Sequence, residues 1–199
     1  PKGQETLPRV VIDGLVVHGY AEDGIRLNRA RDSIVRNCRV YDCGNGIQLY
    51  SSERSSVVDC VAYRNGLNRS FDEGGNIFCM GAAFAGNSVR GCRVYDSRHH
   101  ALRCYGGIPG ENLKSGKTYR DVVIEGNLVH DNRIEGIWFK SGYRESLGSA
   151  LRNIVVGIEN PGEISMLTVA NKDFNTRICA NLSEMVNNYP AGPGDLELP

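Results

Sequence analysis

The sequence carries no excess of charge of either sign, because 23 lysines and arginines equal 23 aspartates and glutamates among its 199 residues. A neutral chain lacks the basic footprint that nucleic-acid binding requires. No apolar run approaches the roughly 20 residues that a membrane-spanning helix needs, and no signal peptide opens the chain. Without a Cys-x-x-Cys pair, a structural zinc site also has little support.

The most informative feature that is present is a repeat. Cys38 lies 22 residues before Cys60, which lies 32 residues before Cys92. Each cysteine belongs to an apolar unit that ends near a tyrosine or histidine, and the units occupy residues 11–18, 34–42, 57–64, 89–96 and 123–131. A small residue and a short apolar run follow each unit, at residues 24–27, 46–49, 76–79, 101–104 and 136–139. Two short strands per period without a helical pattern indicate a solenoid of stacked coils.

Alternation of side chains along each strand predicts buried rows in which like residues stack along the solenoid. The first two rows are Val40, Ala62, Val94 and Val129, and Cys38, Cys60, Cys92 and Asn127. The other two are Ile25, Ile47, Ile77, Leu102 and Ile137, and Leu27, Leu49, Cys79, Cys104 and Phe139. The cysteines are therefore interpreted as small buried fillers rather than as bonded or metal-binding residues. On the other strand, Tyr41, Tyr63 and Tyr95 form an outward ladder, interpreted as structural stacking.

The predicted fold is an all-β, single-stranded parallel β-helix of about six to seven coils, with insertions in coils three to five. One domain covers residues 1–199: a lead-in or cap at 1–10, coils at 11–182 and a Pro/Gly-rich tail at 183–199. An open solenoid end needs a cover, and the chain opens at Pro1 rather than at methionine. Either residues 1–10 cover that end, or the chain is part of a longer protein or an oligomer.

The order of these units resembles the right-handed parallel β-helix repeat of the pectate-lyase-like superfamily. Residues 123–140 carry the resemblance best, and the pattern extends over residues 9–182. An inward asparagine ladder of that superfamily corresponds to the position of Cys38, Cys60 and Cys92, and Asn127 keeps the asparagine. The resemblance implies a fold but not one particular activity, because the superfamily contains lyases, hydrolases, epimerases and non-catalytic proteins. It also implies an extracellular, cell-surface or periplasmic location.

The repeat predicts two outward rows on the strand that follows each unit. The first row is Arg26, Gln48, Phe78, Arg103 and Trp138, and the second is Asn28, Tyr50, Met80, Tyr105 and Lys140. Aromatic faces stack on sugar rings, and guanidinium groups hold carboxylates. The rows therefore predict a groove for an extended acidic polysaccharide, with Trp138, Tyr105, Phe78 and Tyr50 as sugar platforms and with Arg26 and Gln48 also in contact. The alternative is that aromatic residues stand here because they favour strands.

The insertions fall at residues 67–75, 106–117 and 141–149, at the edges of this same strand row, where they would form walls around coils three to five. The first insertion contains Asp72 and Glu73. These are candidate carboxylates for hydrolysis together with Glu135, since a glycosidase needs two carboxyl groups around the bond. They also make calcium the one metal cofactor that the sequence suggests, although adjacent acids in a glycine-rich loop are more often only solvated.

The alignment places His100 and Glu135 at equivalent positions of adjacent coils, with Arg103 and Lys140 near them. Such a cluster supplies an acid, a base and a cation, which is what proton abstraction beside a sugar carboxylate requires. Glu135 to Ser141 is also similar to a segment of the alginate and chondroitin lyases, which implies calcium binding by Glu135 and a base at Lys140. Arg133 stands where that segment has its first glutamate.

Two functions follow from these patterns. The first is an enzyme, a polysaccharide lyase, glycoside hydrolase or epimerase, that uses Lys140, His100, Glu135, Arg103, Asp72 and Glu73. The second is a non-catalytic glycan-binding or structural segment of a larger surface protein, favoured by the lack of polygalacturonase signatures and by the degenerate final coils. An enzyme predicts convergent ionisable groups in a walled groove, whereas a spacer predicts a flat face.

Overall fold

The computed structural model describes residues 9–67, 74–81, 84–106, 119–133, 136–141, 148–158, 167–170, 177–179, 182–183 and 196–197. These residues form strands and turns, and no helix long and apolar enough to cross a membrane occurs among them. The predicted all-β class is confirmed. The three insertions lie largely outside the described residues.

Three parallel sheets run along the solenoid. The first contains β1 (Val11–Asp13), β4 (Ile34–Arg36), β7 (Ser56–Val58), β11 (Ser88–Arg90), β15 (Val122–Glu125), β18 (Gly148–Leu151), β21 (Arg177–Cys179) and β23 (Leu196–Glu197). The second contains β2 (Val16–His18), β5 (Arg39–Tyr41), β8 (Val61–Tyr63), β12 (Arg93–Tyr95), β16 (Leu128–Asn132), β19 (Ile154–Ile158) and β22 (Leu182–Ser183). The third contains β3 (Asp23–Asn28), β6 (Asn45–Tyr50), β9 (Gly75–Gly81), β13 (His100–Gly106), β17 (Ile137–Ser141) and β20 (Leu167–Ala170).

Within each sheet, neighbouring strands come from successive coils and pair in parallel, which is the topology of a parallel β-helix. A short pair, β10 (Phe84–Ala85) and β14 (Tyr119–Arg120), lies outside the three main sheets. Near the C-terminus, β23 lies in the segment for which the sequence predicts a tail, and it pairs with β21 of the last predicted coils.

The register of these sheets confirms the four predicted core rows. Val40 pairs with Ala62, which pairs with Val94, and Cys79 pairs with Cys104. The residues of all four rows are buried. The solenoid interior is therefore a continuous apolar column, and its side chains are fixed by stacking as well as by burial.

Six of the seven cysteines have described side chains, and all six are buried free thiols. Cys38, Cys60 and Cys92 donate their thiol hydrogens to backbone carbonyls two residues earlier, at 3.1, 3.3 and 3.4 Å. Burial raises the pKa of the Cys79 thiol to about 12 and also raises the pKa of Cys104. The interpretation of these cysteines as small buried fillers is confirmed.

These thiols are expected to be inert in the folded protein because all six are buried away from a reagent, and at Cys79 and Cys104 burial also suppresses the reactive thiolate. A chromogenic thiol reagent should modify at most Cys179 under native conditions and all seven cysteines in denaturant. The native and denatured thiol counts, read by absorbance, check this. Rapid native modification of two or more thiols would contradict the buried positions.

Asparagine and serine ladders support the turns between the sheets. In each ladder, a side-chain oxygen accepts a hydrogen bond from the backbone N–H of the equivalent residue one coil earlier. The ladders consist of Ser33, Ser55 and Asn87; of Cys92, Asn127 and Asn153; of Cys43 and Asn65; and of Ser97 and Asn132. Asn76, which lies in the same coil as Asn65, accepts the Asn65 N–H. Buried backbone groups at the corners need such partners, because the sheets do not supply them there. The sequence had indicated only the asparagine at position 127.

Candidate functional site

The candidate site lies on the outward face of the third sheet, and its register matches the prediction. Arg26 pairs with Gln48 and Arg103 pairs with Trp138, while Tyr50 and Tyr105 both pair with Met80. The two outward rows therefore run side by side along the solenoid. Lys140 pairs with Tyr105 through its backbone.

The expectation that the first row is exposed is wrong at three of its five positions. Gln48, Phe78 and Arg103 are only 5%, 1% and 3% exposed, while Arg26 is exposed and Trp138 is half-buried. The side chains pack against their neighbours on the sheet: Gln48 bonds to Met80, and Arg103 lies against two aromatic rings. Phe78 lies over Gly75, where a Cβ would approach the Phe78 ring to 2.8 Å. Phe78 is therefore a buried packing residue in this structure and offers no open platform for a sugar ring.

A cationic–aromatic cluster forms where β13 meets β17. The Arg103 guanidinium carbon lies 4.7 Å from the centroid of the Tyr105 ring and 4.3 Å from that of Trp138. The His100 and Trp138 rings lie 4.5 Å apart with a tilt of 35°. Contacts of a guanidinium with two ring faces contribute about 0.5–2 kcal/mol each and hold the cation in place. His100, Arg103, Tyr105 and Trp138, predicted on separate grounds, therefore meet in one cluster.

The backbone fixes His100 within this cluster. The carbonyl of His100 accepts a hydrogen bond from the Ser97 hydroxyl at 2.8 Å, and its N–H donates to the carbonyl of Gly74 at 3.3 Å. Its strand neighbour is Gly75, where any Cβ would collide with the His100 carbonyl oxygen. The absence of a side chain at position 75 thus allows β9 and β13 to approach and places the His100 ring, which is 5% exposed, beside Trp138.

Gly75→Ala is expected to displace the cluster, because the new methyl group meets a backbone oxygen that cannot rotate away. Trp138 is the only tryptophan, so its emission reports this movement directly. We expect a shifted emission maximum and a stability loss of about 1–3 kcal/mol. The matched control is Gly126→Ala, at a glycine with φ +64° and nothing within 4 Å of its Cβ position. The control should lose some stability without moving the emission; an identical spectrum in both variants would contradict the assigned contact.

The other end of the face is more open. The Arg26 guanidinium carbon lies 4.4 Å from the Tyr50 ring centroid, and Arg26 forms an ion pair with Asp23 at 3.2 Å. Asn45 donates a second hydrogen bond to Asp23 at 2.8 Å. Arg26 is exposed and Tyr50 is half-buried, so both present surface to a ligand.

The sequence reasoning missed the role of Met80 and the burial of the Gln48 amide. The Gln48 Nε2 donates to the Met80 sulfur at 2.8 Å, whereas its buried Oε1 accepts no hydrogen bond from the described residues. Met80 stood in the outward row of the alignment, but nothing in the spacing signalled that it would serve as an acceptor. This face thus retains one buried acceptor without a donor in the described part of the chain.

Several predicted site residues lie outside the described residues. These are Asp72, Glu73 and Glu135, and the side chain of Lys140. The calcium hypothesis, which depends on these acids, lies there too. Within the described part, no group of three or more histidine, cysteine, aspartate or glutamate side chains could hold a metal ion.

Comparison with known proteins identifies the class of fold. Residues 9–174 match the family described as the right-handed β-helix region, so the chain belongs to that family. The predicted right-handed parallel β-helix is confirmed.

Two solved structures are similar to this chain to different degrees. The crystal structure of pectate lyase Pel9A superposes with a TM-score of 0.64 at 17% identity, over 88% of this chain and 45% of that chain. The A-module of mannuronan C-5 epimerase AlgE4 from Azotobacter vinelandii gives a TM-score of 0.45 at 16% identity, over 94% of this chain and 57% of that chain. The chain thus spans about half the length of each. No curated protein matches the sequence significantly. At these identities the likeness establishes the fold alone.

Proposed function

We propose that this protein is carbohydrate-active and that it binds an extended acidic polysaccharide along the outward face of the third sheet, where it cleaves or epimerises the chain. The observation that carries the proposal is the meeting of His100, Arg103, Tyr105 and Trp138 in one cluster. The TM-score of 0.64 with a protein that is named a pectate lyase supports it at the level of fold. A substrate of this kind lies outside cells, which favours an extracellular or cell-surface location.

The cluster contains the groups that chemistry at a uronate requires. Arg103 is the cation that would neutralise the sugar carboxylate and so acidify the proton at C5. His100 or Lys140 would remove that proton as the general base. In elimination, the C5–H electron pair forms the C4–C5 double bond while the C4–O bond breaks and the leaving oxygen is protonated. In epimerisation, a proton returns to C5 from the opposite face.

The burial pattern refines which residues would contact the sugar. Because Phe78 and Gln48 are buried, the available platforms are Trp138, Tyr105 and Tyr50, with Arg26 at the open end. Arg103 and His100 are themselves only 3% and 5% exposed, so a substrate carboxylate would contact Arg103 only where the Tyr105 and Trp138 rings move aside. Hydrolysis would instead use two carboxylates from Asp72, Glu73 and Glu135.

An activity screen tests the proposal. The panel contains uronate and neutral polysaccharides, with and without calcium, and the readouts are unsaturated-product absorbance, new reducing ends and deuterium incorporation from heavy water. Absorbance with reducing ends indicates a lyase, reducing ends alone a hydrolase, and deuterium incorporation alone an epimerase. Silence in all three channels from folded protein would overturn the enzymatic proposal and favour the non-catalytic glycan-binding or structural segment.

A further inference from the structure

The outward face of the second sheet carries a regular strip that the proposed function does not use. Five rings from successive coils stack with centroid separations of 4.8 to 4.9 Å and interplanar angles of 1° to 10°. They are His18, Tyr41, Tyr63, Tyr95 and His130. A second row, two residues earlier on each strand, runs beside the rings and consists of Val16, Arg39, Val61, Arg93, Leu128 and Ile154. The tyrosine ladder is confirmed, and it is longer by one histidine at each end than the sequence indicated.

This strip exposes apolar and cationic groups to solvent. Val16, Leu128 and Ile154 are 61%, 37% and 43% exposed, and the side chains of Arg39 and Arg93 are exposed as well. Surface residues of this kind in one continuous row, rather than scattered singly, are characteristic of a binding surface.

The arginines around the rings differ in whether a carboxylate pairs with the guanidinium group. Arg64 reaches over Tyr63 and donates two hydrogen bonds to the Asp42 carboxylate, at 3.0 and 2.8 Å, so its charge is offset. Arg39 and Arg93, by contrast, form no ion pair with the described residues. The strip therefore presents two positive charges that no carboxylate of the described part of the chain neutralises.

Arg93 is held in position for a ligand. Its guanidinium carbon lies 5.1 Å from the Tyr95 ring centroid, and its Nε donates to His130 Nε2 at 3.1 Å. Because Nε2 accepts that bond, the His130 proton lies on Nδ1, which donates to the Asp131 carboxylate at 2.7 Å. An arginine fixed in this way loses little side-chain entropy when it binds an anion.

We propose that this strip is a second binding surface, separate from the third sheet, for a single extended chain of a carboxylated polysaccharide. Arg39 and Arg93 stand two strands apart, about 10 Å, on a straight line along the solenoid. A linear polyuronate carries a carboxylate on every sugar, so the carboxylates of alternate sugars recur at a comparable repeat. Guanidinium groups bind such carboxylates through paired hydrogen bonds.

The remaining groups of the strip suit the uncharged parts of that ligand. The tyrosine hydroxyls offer one hydrogen-bonding group per coil to the sugar hydroxyls. Partial burial and the neighbouring phenols raise the pKa of Tyr63, so its hydroxyl stays protonated and can donate. Val61, Leu128 and Ile154 provide apolar surface for the C–H faces of the sugars.

The shape of the strip favours a polysaccharide over other macromolecules. It extends roughly 20 Å along five coils but only about 7 Å along each strand. That footprint falls far below the 800 Å² or so per partner of a stable protein interface. Nucleic-acid bases need open ring faces for stacking, and here each ring covers the face of the next.

A binding measurement with paired variants tests this surface. The probe is an oligogalacturonate of defined length, titrated calorimetrically at low salt, with a neutral oligosaccharide of equal length as the ligand control. Arg39→Gln combined with Arg93→Gln should weaken binding about tenfold or more. The matched control, Arg36→Gln combined with Arg54→Gln, removes the same charge from positions outside the second sheet and should leave the Kd unchanged. Equal effects of the two double variants, or no effect of the first, would overturn the proposal.

A second pair of variants keeps the test valid if the arginine variant folds poorly. Leu128→Glu places a negative charge within the strip and should repel the probe, whereas Val11→Glu, at an exposed position of the first sheet, should not. Sedimentation velocity on the same proteins reveals self-association. A dimer that Leu128→Glu dissociates would assign the strip to a second copy of the chain and overturn the polysaccharide assignment.

The binding and activity measurements separate the two proposals, because binding to the strip requires no turnover. Binding that depends on Arg39 and Arg93 in a protein without activity would support the strip and refute the proposed function. Binding lost on Trp138→Ala but retained without the two arginines would place the glycan on the third sheet alone and overturn the second surface.

Discussion

Asn127→Ala is expected to lower the free energy of unfolding by about 3 kcal/mol or more, because it removes partners from several buried groups. The side chain is 2% exposed; its Oδ1 accepts from the Cys92 N–H at 2.9 Å, and its Nδ2 donates to the Val89 carbonyl at 3.1 Å and to Asn153 Oδ1 at 2.9 Å. An alanine satisfies none of these groups. A water molecule can replace the asparagine side chain only where a cavity is large enough to hold that water, and the neighbouring coils fill this interior.

Denaturant unfolding followed by circular dichroism measures this loss. The matched control is Asn28→Ala, which removes the same amide from an exposed position of β3 and should change stability by less than about 0.5 kcal/mol. Asn127→Cys is informative as well, because cysteine occupies this position in the preceding coils at Cys38, Cys60 and Cys92. If Asn127→Ala unfolded at the same denaturant concentration as Asn28→Ala, the ladder would not support this corner of the solenoid.

The fold could be predicted from the sequence because its determinants are local and periodic. Side chains alternate along a strand with a period of two, and coils stack at one strand spacing, so like residues must meet. Aligning the units of residues 34–42 and 57–64 therefore yields the observed register, in which Val40 pairs with Ala62. The insertions did not disturb this alignment, since they fall between strands.

The asparagine ladders were harder to predict because their spacing follows the insertions rather than the repeat. Asn65 and Asn76 are only 11 residues apart and belong to the same coil, yet Asn76 Oδ1 accepts hydrogen bonds from the Asn65 N–H at 3.3 Å and from Asn65 Nδ2 at 2.8 Å. The residue equivalent to Asn65 in the next coil is Ser97, which Asn132 supports across coils from 35 residues away. A pattern sought at one fixed period does not reveal such pairs.

On the outward face of the third sheet, the sequence pattern was not sufficient to predict which side chains are exposed. Alternation gives the side of the sheet on which Phe78 and Arg103 lie, and that side was predicted correctly. It does not give the rotamers, and both side chains pack against their neighbours on the sheet, so their exposure was predicted wrongly. Side-chain direction on a strand depends on the surrounding residues from other coils, which no single segment specifies. The cluster of His100 with Trp138 was predictable only because both follow from the register.

Replacing His100 or Lys140 is expected to reduce turnover of the polysaccharide that the activity screen identifies by about 10²–10⁴-fold, the usual contribution of a general base. His100→Gln keeps a polar side chain of similar size but removes the ring that contacts Trp138, so thermal unfolding reports whether the fold stays intact. Lys140→Met keeps the length of the side chain and removes its charge. The measurement is kcat and KM for each variant, with Trp138 emission and thermal unfolding recorded on the same samples.

The two variants distinguish catalysis from binding. A residue that acts only in the transition state lowers kcat and kcat/KM together, whereas loss of a binding contact raises KM alone. The matched control is His99→Gln, because His99 precedes His100 and its ring centroid lies 6.2 Å from that of His100. Reduced kcat in His100→Gln with an unchanged thermal unfolding midpoint and a normal His99→Gln would assign proton transfer to His100. Wild-type rates in both the His100 and the Lys140 variants would remove the chemistry from the junction of β13 and β17, and Arg103 with its two rings would then be a packing feature of the sheet.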